Sequence, residues 1–404
     1  MGYFKDTLKG LTYKSLSRIS MRMVGFVKFA VIARILGPVE FGLFGLASLT
    51  LTFLETMTDT GINIFLIQEN DEYKKYLNSV FVVSVIRGVI ISCIIIASTP
   101  IVEVFFKVAD LRNIMYLIAV IPFVRGFINP AIIKFEKDLR FDRELILRLF
   151  LVSCDAVVSI VYVSRFYKID GLIVGMIAAV ILEMAISWIF LTPKPHFVIY
   201  WSHLKYILKR GKWITLTGIL SYLYHNIDDV LVGKMLGLYN LGLYQLSYRL
   251  ATLPIYETGE IFGRVTFPVY SKIADDKVRL RKAFYKVTLT ISLLVIPAGL
   301  ILIFFTDYIV LLLLGEKWLS SVGVIRILAV FSVIRAISGS VTPLFYALKK
   351  QEIITLFMSV GLISLLVIII PLINIYGLKG AAISTIISAI TAIPVLLLAL
   401  NKIF

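Results

Sequence analysis

The stretch Arg34-Ile-Leu-Gly-Pro-Val-Glu-Phe-Gly-Leu-Phe-Gly45 recurs in outline 200 residues later, as Lys234-Met-Leu-Gly-Leu-Tyr-Asn-Leu-Gly-Leu-Tyr-Gln245. Both copies share the same elements in register: a basic residue, the pair Leu-Gly, four variable residues and then Gly-Leu followed by an aromatic residue. An even number of apolar segments separates the two copies, which predicts parallel repeats with the same membrane orientation. The alternative is a chance recurrence in apolar sequence. In either case Gly37, Gly42, Gly237 and Gly242 are predicted to permit a tight turn or a close approach of helices.

The composition around these copies is that of a membrane protein. Of the 404 residues, 59% are apolar and 16% are charged, whereas soluble domains carry about 25% charged residues. The mean hydropathy is +0.93. The net charge of +16 does not predict a nucleic-acid partner, because most Lys and Arg fall in short segments between apolar runs. Two cysteines, Cys93 and Cys154, exclude a disulfide framework and a cysteine zinc site.

Windows of about 20 apolar residues, the length that crosses a bilayer, predict an all-α polytopic fold with about twelve membrane-spanning helices. The predicted spans lie near 17–36, 41–67, 79–105, 112–133, 145–165, 171–191, 213–233, 241–268, 285–306, 319–347, 353–374 and 378–401. They divide into two six-helix lobes, residues 1–195 and 213–404, joined by a cytoplasmic linker over 196–212.

The distribution of basic residues predicts how these spans are oriented. Lys and Arg are about three times as frequent in the segments on one side as on the other, and the basic side faces the cytoplasm. Both termini are therefore predicted to be cytoplasmic, in the inner membrane. We expect no removable signal peptide, because no A-x-A-like site follows the first apolar run. We also expect no metal and no resident cofactor, since the sequence has neither a GxxxxGK[ST] loop nor an HExxH motif. Because the loops are short, we also expect no enzyme activity.

Charges inside the predicted spans indicate function, because a central charge costs about 2.5–3.5 kcal/mol on insertion scales. In the first span, Arg22 and Lys28 share a face with Lys14 and Arg18. Snorkelling to the headgroups explains Lys14 and Arg18, whereas Arg22 and Lys28 lie deeper and favour a wet cavity. Arg125 lies well inside the fourth span and is a further candidate.

Three more spans carry polar faces. The second presents Glu55 and Asp59 on one face of a helix, and the eighth presents Arg249, Glu257, Glu260 and Arg264, with Pro254 outside that face as a kink. The seventh holds Asp228 and Asp229, where an acid could bind H⁺ or Na⁺ as a coupling ion. The alternatives are mutual neutralisation of acids and bases and, for the seventh span, a position at the helix end. Arg87, Asp155, Glu183, Arg326 and Arg335 receive no role.

The excess of arginine and lysine in these faces favours an anionic substrate. A guanidinium group binds phosphate oxygens in pairs, so a phosphate or a pyrophosphate is the expected chemistry.

The runs Ala33–Phe44, Asn226–Gly237 and Leu241–Leu250 resemble the corresponding stretches of Wzx-type polysaccharide flippases. These belong to the multidrug/oligosaccharidyl-lipid/polysaccharide (MOP) exporter superfamily. The resemblance implies a MATE-like fold and alternating-access export of an undecaprenyl-pyrophosphate-linked oligosaccharide, as in O-antigen and lipopolysaccharide assembly. It implies head-group binding by Arg22, Lys28, Arg249 and Arg264. The second span departs from the family, since Glu55 and Asp59 stand where bases are expected.

The resemblance also implies partners and leaves alternatives. Membrane lipids are expected partners, together with a polymerase and other polysaccharide-assembly proteins. A cation-coupled multidrug antiporter of the same superfamily is the alternative function, although it favours a more acidic and aromatic cavity. A membrane polymerase or ligase is a third class, and it needs a long outer loop that this sequence lacks.

Overall fold

The computed structural model describes residues 2–59, 61, 66, 73–108, 111–138, 140–198 and 200–404. Within these ranges, the side chains of 2–15, 73–75, 136, 201–214, 216, 254, 256–261 and 264 fall outside the description. All the regular structure in the described part of the chain is helical.

In the first half of the chain, the described residues form six helices of 16 residues or more. They are α1 Gly2–Ile35, α2 Pro38–Met57, α3 Tyr73–Phe106, α4 Leu111–Gly126, α5 Phe141–Phe166 and α6 Asp170–Phe190. Two short helices, Pro130–Ile133 and Lys134–Lys137, connect α4 to α5.

The second half begins with a helical stretch over Trp201–Lys272, which Gly237 divides into α7 and α8. Gly237 has φ 79°, a left-handed conformation that glycine adopts without the steric cost of a Cβ atom. The following helices are α9 Lys277–Phe304, α10 Val322–Gly339, α11 Gln351–Tyr376 and α12 Leu378–Ile403. Short helices over Thr306–Leu313, Glu316–Ser321 and Thr342–Ala347 flank α10.

Within the described residues, 8 segments are long and apolar enough to cross a membrane. They are Pro38–Met57, Tyr76–Phe106, Phe141–Phe166, Asp170–Phe190, Lys277–Phe304, Glu316–Ala347, Gln351–Tyr376 and Leu378–Ile403. Helix α4 is shorter, with 16 residues. Helices α1, α7 and α8 also fall outside this set, and these are the helices in which the sequence places many of its intramembrane charges.

The chain forms two compact units. Unit 1 comprises Met1–Leu36 and Leu43–Tyr222, and unit 2 comprises Gly37–Gly42 and Leu223–Phe404. In unit 1, α1 packs on α5, α3 on α4, and α6 on both α4 and α5. In unit 2, α12 packs on α10 and α11, and α9 packs on α10. The lobe boundaries inferred from the sequence stay a prediction.

The predicted second span is wrong at its C-terminal end, because α2 ends at Met57 rather than near residue 67. The Thr58 hydroxyl donates to the Leu54 carbonyl at 2.7 Å, and an Asp59 carboxylate oxygen accepts from the Gly61 amide at 2.9 Å. Such local side-chain bonds compete with helix continuation. Asp59 therefore lies in the turn after α2 and does not share a helical face with Glu55.

The glycines of the repeat meet in unit 2. A Cβ atom at Gly42 would overlap the Leu238 carbonyl oxygen, and one at Gly242 would overlap the Pro38 carbonyl oxygen. Pro38 and Leu238 occupy the same place in the two copies of the repeat, so the contact is reciprocal. The start of α2 and the start of α8 thus cross with their backbones in direct contact, which only glycine permits.

Candidate functional site

A polar cavity of about 350 Å³ lies within unit 1, among α2, α3, α4, α5 and α6. Its charged lining consists of Glu55, Asp59, Arg87, Arg125, Arg148 and Glu183. We call this the unit 1 cavity. Its lining holds three acids and three bases, so it is polar without a large net charge.

A close crossing of α3 and α4 positions two of the arginines. A Cβ atom at Gly88 would overlap the Pro122 carbonyl oxygen, and one at Gly126 would lie 2.8 Å from the Ser84 carbonyl oxygen. Arg87 and Arg125 directly precede these two glycines in the chain. The crossing therefore holds both guanidinium groups at the same cavity.

Each arginine of the unit 1 cavity has a defined partner. Arg125 pairs with the Glu55 carboxylate. Arg87 donates to the Thr58 hydroxyl at 3.0 Å and to the Glu55 carbonyl oxygen at 2.7 Å. Arg148 pairs with Glu183 at 2.8 Å. The acids of α2 and α6 thus balance bases of α3, α4 and α5.

A second ion pair in unit 1 joins α1 to α5. The Lys28 ammonium lies 2.7 Å from an Asp155 carboxylate oxygen, with side-chain exposures of 6% and 17%. The Ser159 hydroxyl donates to the other Asp155 oxygen at 3.1 Å. Gly175 of α6 leaves room for this group, since a Cβ atom there would overlap Ser159 and Asp155. Lys28, predicted to bind a head group, therefore has a buried carboxylate partner.

Two adjacent carboxylates form the polar centre of unit 2. Asp228 is only 4% exposed, and one of its oxygens accepts from the Tyr244 hydroxyl at 2.8 Å. Asp228 lies on α7 and Tyr244 on α8, so the chain reverses direction at Gly237. Among the described residues, the Oδ1 atoms of Asp228 and Asp229 are buried and have no hydrogen-bond partner. We call Asp228 and Asp229 the acid pair.

Basic groups lie around the acid pair. Arg249 interacts electrostatically with Asp229, and Arg335 of α10 interacts with Asp228. Arg335 also donates to the Tyr248 hydroxyl and lies 3.2 Å from Nδ1 of His225. The acid pair therefore lies near two guanidinium groups, although one buried oxygen of each carboxylate accepts no hydrogen bond in the described part of the chain.

The structure describes the side chains of only some of the remaining predicted residues. Arg22 lies half-buried on α1, and the Gly37 amide donates to Glu40 at 3.1 Å at the start of α2. The side chains of Pro254, Glu257, Glu260 and Arg264 lie outside the described residues. Across the part of the chain that the structure describes, no group of three or more His, Cys, Asp or Glu residues could hold a metal ion.

Sequence reasoning missed several of these partners. Arg87, Asp155, Glu183 and Arg335 received no role, and Arg148 was not selected at all. One signal was available, because Arg-Gly occurs both at 87–88 and at 125–126, where the glycines mark the crossing. Nothing in the sequence links Lys28 to Asp155, which is 127 residues away.

Known proteins are similar to this chain along most of its length. The family described as "Polysaccharide biosynthesis protein" matches residues 31–323. The teichuronic acid biosynthesis protein TuaB of Bacillus subtilis (strain 168) is 24% identical over 346 residues, which cover 83% of this chain and 71% of TuaB. The lipopolysaccharide biosynthesis protein WzxC of Escherichia coli (strain K12) is 24% identical over 359 residues, which cover 87% of this chain and 72% of WzxC.

Solved structures with the same fold include a flippase and a drug transporter. The inward closed conformation of the lipid II flippase MurJ matches with a TM-score of 0.77 at 18% identity, covering 96% of this chain and 87% of MurJ. The inward-facing conformation of a multidrug resistance MATE family transporter of the MOP superfamily matches with a TM-score of 0.70 at 15% identity. That match covers 96% of this chain and 98% of the transporter.

The family match spans well over half of the chain, so the chain belongs to the polysaccharide biosynthesis protein family. It is a multi-pass membrane protein with the all-α fold shared by MurJ and MATE transporters, which confirms the predicted fold class. The resemblance to Wzx-type proteins of the MOP superfamily is confirmed as well.

Proposed function

We propose that this chain is a flippase that moves an undecaprenyl-pyrophosphate-linked oligosaccharide from the inner to the outer leaflet by alternating access. The family match gives the coarse assignment to polysaccharide biosynthesis. The observation that carries the proposal is the unit 1 cavity, where Arg87, Arg125 and Arg148 line a space of about 350 Å³ within an apolar helical body. Charged groups at such positions mark a substrate or ion pathway.

The head group of this substrate explains the choice of bases. A pyrophosphate carries several anionic oxygens, which guanidinium groups bind in pairs. Arg22 and Arg249 are proposed to bind it directly, with Arg125 contributing from the unit 1 cavity. Roles for Lys28 and Arg264 are part of the same proposal, although the Asp155 carboxylate already neutralises Lys28.

The acid pair is the proposed site of ion coupling. Arg335 and Arg249 interact with the two carboxylates, but one buried oxygen of each has no hydrogen-bond partner in the described part of the chain, and such an oxygen is costly as an anion until a cation contacts it. Binding of H⁺ or Na⁺ at Asp228 and Asp229 would remove that cost and so favour one conformation over another. Glu55 is a weaker candidate because it already pairs with Arg125.

Charge removal tests the proposal, both at Arg22 and Arg249 and in the unit 1 cavity at Arg125. We expect Arg22→Ala and Arg249→Ala each to abolish surface polysaccharide in a strain that lacks its own copy, with the variant still inserted in the membrane. Arg125→Ala should lower the amount of surface polysaccharide, and an unchanged amount would remove the unit 1 cavity from the substrate path. Arg279→Ala is the matched control, since Arg279 is exposed at the start of α9. Normal polymer from both variants, at wild-type protein levels, would contradict the assignment of the head-group site.

We also propose where the chain lies in the cell and that it does not act as an enzyme. The chain is proposed to lie in the cytoplasmic membrane with both termini inside and to work beside a polymerase and other assembly proteins. We propose that it transports its substrate without chemical change.

A multidrug antiporter is the second candidate, favoured by the fold shared with a MATE transporter. Expression in a dye-sensitive strain distinguishes the two functions. A flippase leaves growth on ethidium unchanged, whereas an antiporter gives protection that is lost when the ion gradient is dissipated.

A further inference from the structure

A basic cavity lies at the start of α9, in unit 2 and apart from the acid pair. Its volume is about 520 Å³, and its lining consists of Lys277, Val278, Arg281, Lys282, Tyr285 and Phe404. We call it the α9 cavity. The proposed transport function uses none of these residues.

Of the six side chains that line this cavity, three are basic and none is acidic. Asp276, which precedes α9, is engaged elsewhere. Its carboxylate accepts from the Arg279 amide at 3.0 Å as the helix cap, and it lies 4.0 Å from the Arg279 guanidinium. The charge of Lys277, Arg281 and Lys282 is therefore available to an anion.

Aromatic side chains form the inner wall of the α9 cavity. The Arg281 guanidinium lies 5.7 Å from the centre of the Tyr285 ring. The Phe404 ring lies 6.0 Å from the ring of Phe284 and 6.5 Å from that of Tyr285, and Phe284 belongs to a buried apolar cluster. Basic residues and aromatic rings together are typical of the level at which lipid head groups meet a membrane protein.

An exposed apolar stripe continues from the cavity along α9. Leu289, Leu293, Ile296 and Leu300 are all exposed, by 61%, 66%, 44% and 47%. At 100° per residue they fall on the same face as Val278 and Tyr285. From Tyr285 to Leu300 the stripe runs about 22 Å at 1.5 Å per residue, which is long enough for a fatty acyl chain.

We propose that the α9 cavity binds the phosphate of an anionic phospholipid whose acyl chains lie along this stripe. The three bases neutralise the phosphate, and the stripe binds the chains. The stripe belongs to a helix that is long and apolar enough to span the membrane, so it meets lipid acyl chains and places the three bases at the level of the lipid head groups. The bases belong to the loop predicted to be cytoplasmic, so the lipid is one of the inner leaflet, where basic pockets bind anionic head groups.

Native mass spectrometry of the full-length protein in detergent measures this binding. The probes are phosphatidylglycerol, phosphatidylcholine of the same chain length, undecaprenyl phosphate and inorganic phosphate as competitor. We expect phosphatidylglycerol to bind more tightly than phosphatidylcholine. We expect its affinity to fall about fivefold for each base removed in Arg281→Ala and in the double variant Arg281→Ala with Lys282→Ala.

Arg279→Ala is the matched control, because Arg279 lies on the same turn of α9 but outside the cavity; we expect less than a twofold change. Arg281→Lys, which keeps the charge, should retain most of the binding and shows that the site still folds. Equal affinity for the two phospholipids, or equal losses in Arg279→Ala and Arg281→Ala, would overturn the proposal. Displacement by millimolar inorganic phosphate would identify a soluble-anion site instead, and preference for undecaprenyl phosphate would identify a substrate site.

Discussion

Units 1 and 2 both hold charged side chains among apolar helices, but they balance these charges differently. In unit 1, Lys28 pairs with Asp155, and Arg148 pairs with Glu183. In unit 2, the carboxylates of Asp228 and Asp229 are adjacent, and within the described chain each has one buried oxygen without a hydrogen-bond partner. The comparison indicates that the buried Lys28–Asp155 pair of unit 1 joins two helices, whereas the acid pair of unit 2 keeps buried charge in a form that a cation can change.

The largest effect on stability is expected when one partner of the buried Lys28–Asp155 pair in unit 1 is removed. Asp155→Ala leaves the Lys28 ammonium buried without its carboxylate, so we expect a loss of about 3–5 kcal/mol in the free energy of unfolding. Chemical denaturation of the purified protein in detergent measures it. The apolar double variant Lys28→Met with Asp155→Leu should recover most of this stability. Equal instability of the single and double variants would show that shape, rather than charge, decides the cost.

Removal of a carboxylate charge from the acid pair of unit 2 should affect transport more than stability. Asp228→Asn removes the negative charge but keeps an oxygen that accepts from Tyr244, so the folded yield should stay near that of the wild type. We expect export of surface polysaccharide to fall more than tenfold. Asp307→Asn is the matched control, since Asp307 is a half-exposed acid of unit 2 paired with Arg326. Unimpaired export by Asp228→Asn would remove the acid pair from the coupling site.

The smallest effect is expected for the pair of Arg148 and Glu183 in the unit 1 cavity. The Glu183 side chain is 14% exposed but that of Arg148 is 41% exposed, so water that enters the cavity screens the pair. A double-mutant cycle with Arg148→Ala and Glu183→Ala should therefore give a coupling energy of about 1 kcal/mol or less. A coupling energy as large as the Asp155→Ala effect would show that the cavity excludes water.

Local patterns in the sequence predicted the helices well, because apolar periodicity and span length are local properties. The predicted spans at 145–165 and 353–374 lie within α5 and α11. The second span was an exception, because its apolar run conceals a turn at Thr58 and Asp59. The fourth span, predicted over 112–133, was another, because α4 ends at Gly126. Hydropathy does not register the side-chain hydrogen bonds that end a helix.

The candidate site was less predictable, because it depends on contacts between distant segments. Periodicity identified which spans carry charge, but it gave no role to Asp155 or Glu183. Their partners lie on other helices, at sequence separations of 127 and 35 residues. Such pairing is set by how helices cross, and the crossing at Gly88 and Gly126 is marked in sequence only by two small residues.

The reciprocal contact of Gly42 and Gly242 has a genetic consequence. The atoms that a new side chain would strike are the main-chain carbonyl oxygens of Leu238 and Pro38, which every amino acid retains. A compensating change of side chain at position 238 or 38 leaves the carbonyl oxygen in place. Suppressors of a Gly42 or Gly242 lesion should therefore map to distant positions that shift a whole helix, and true reversion to glycine should be the commonest route back.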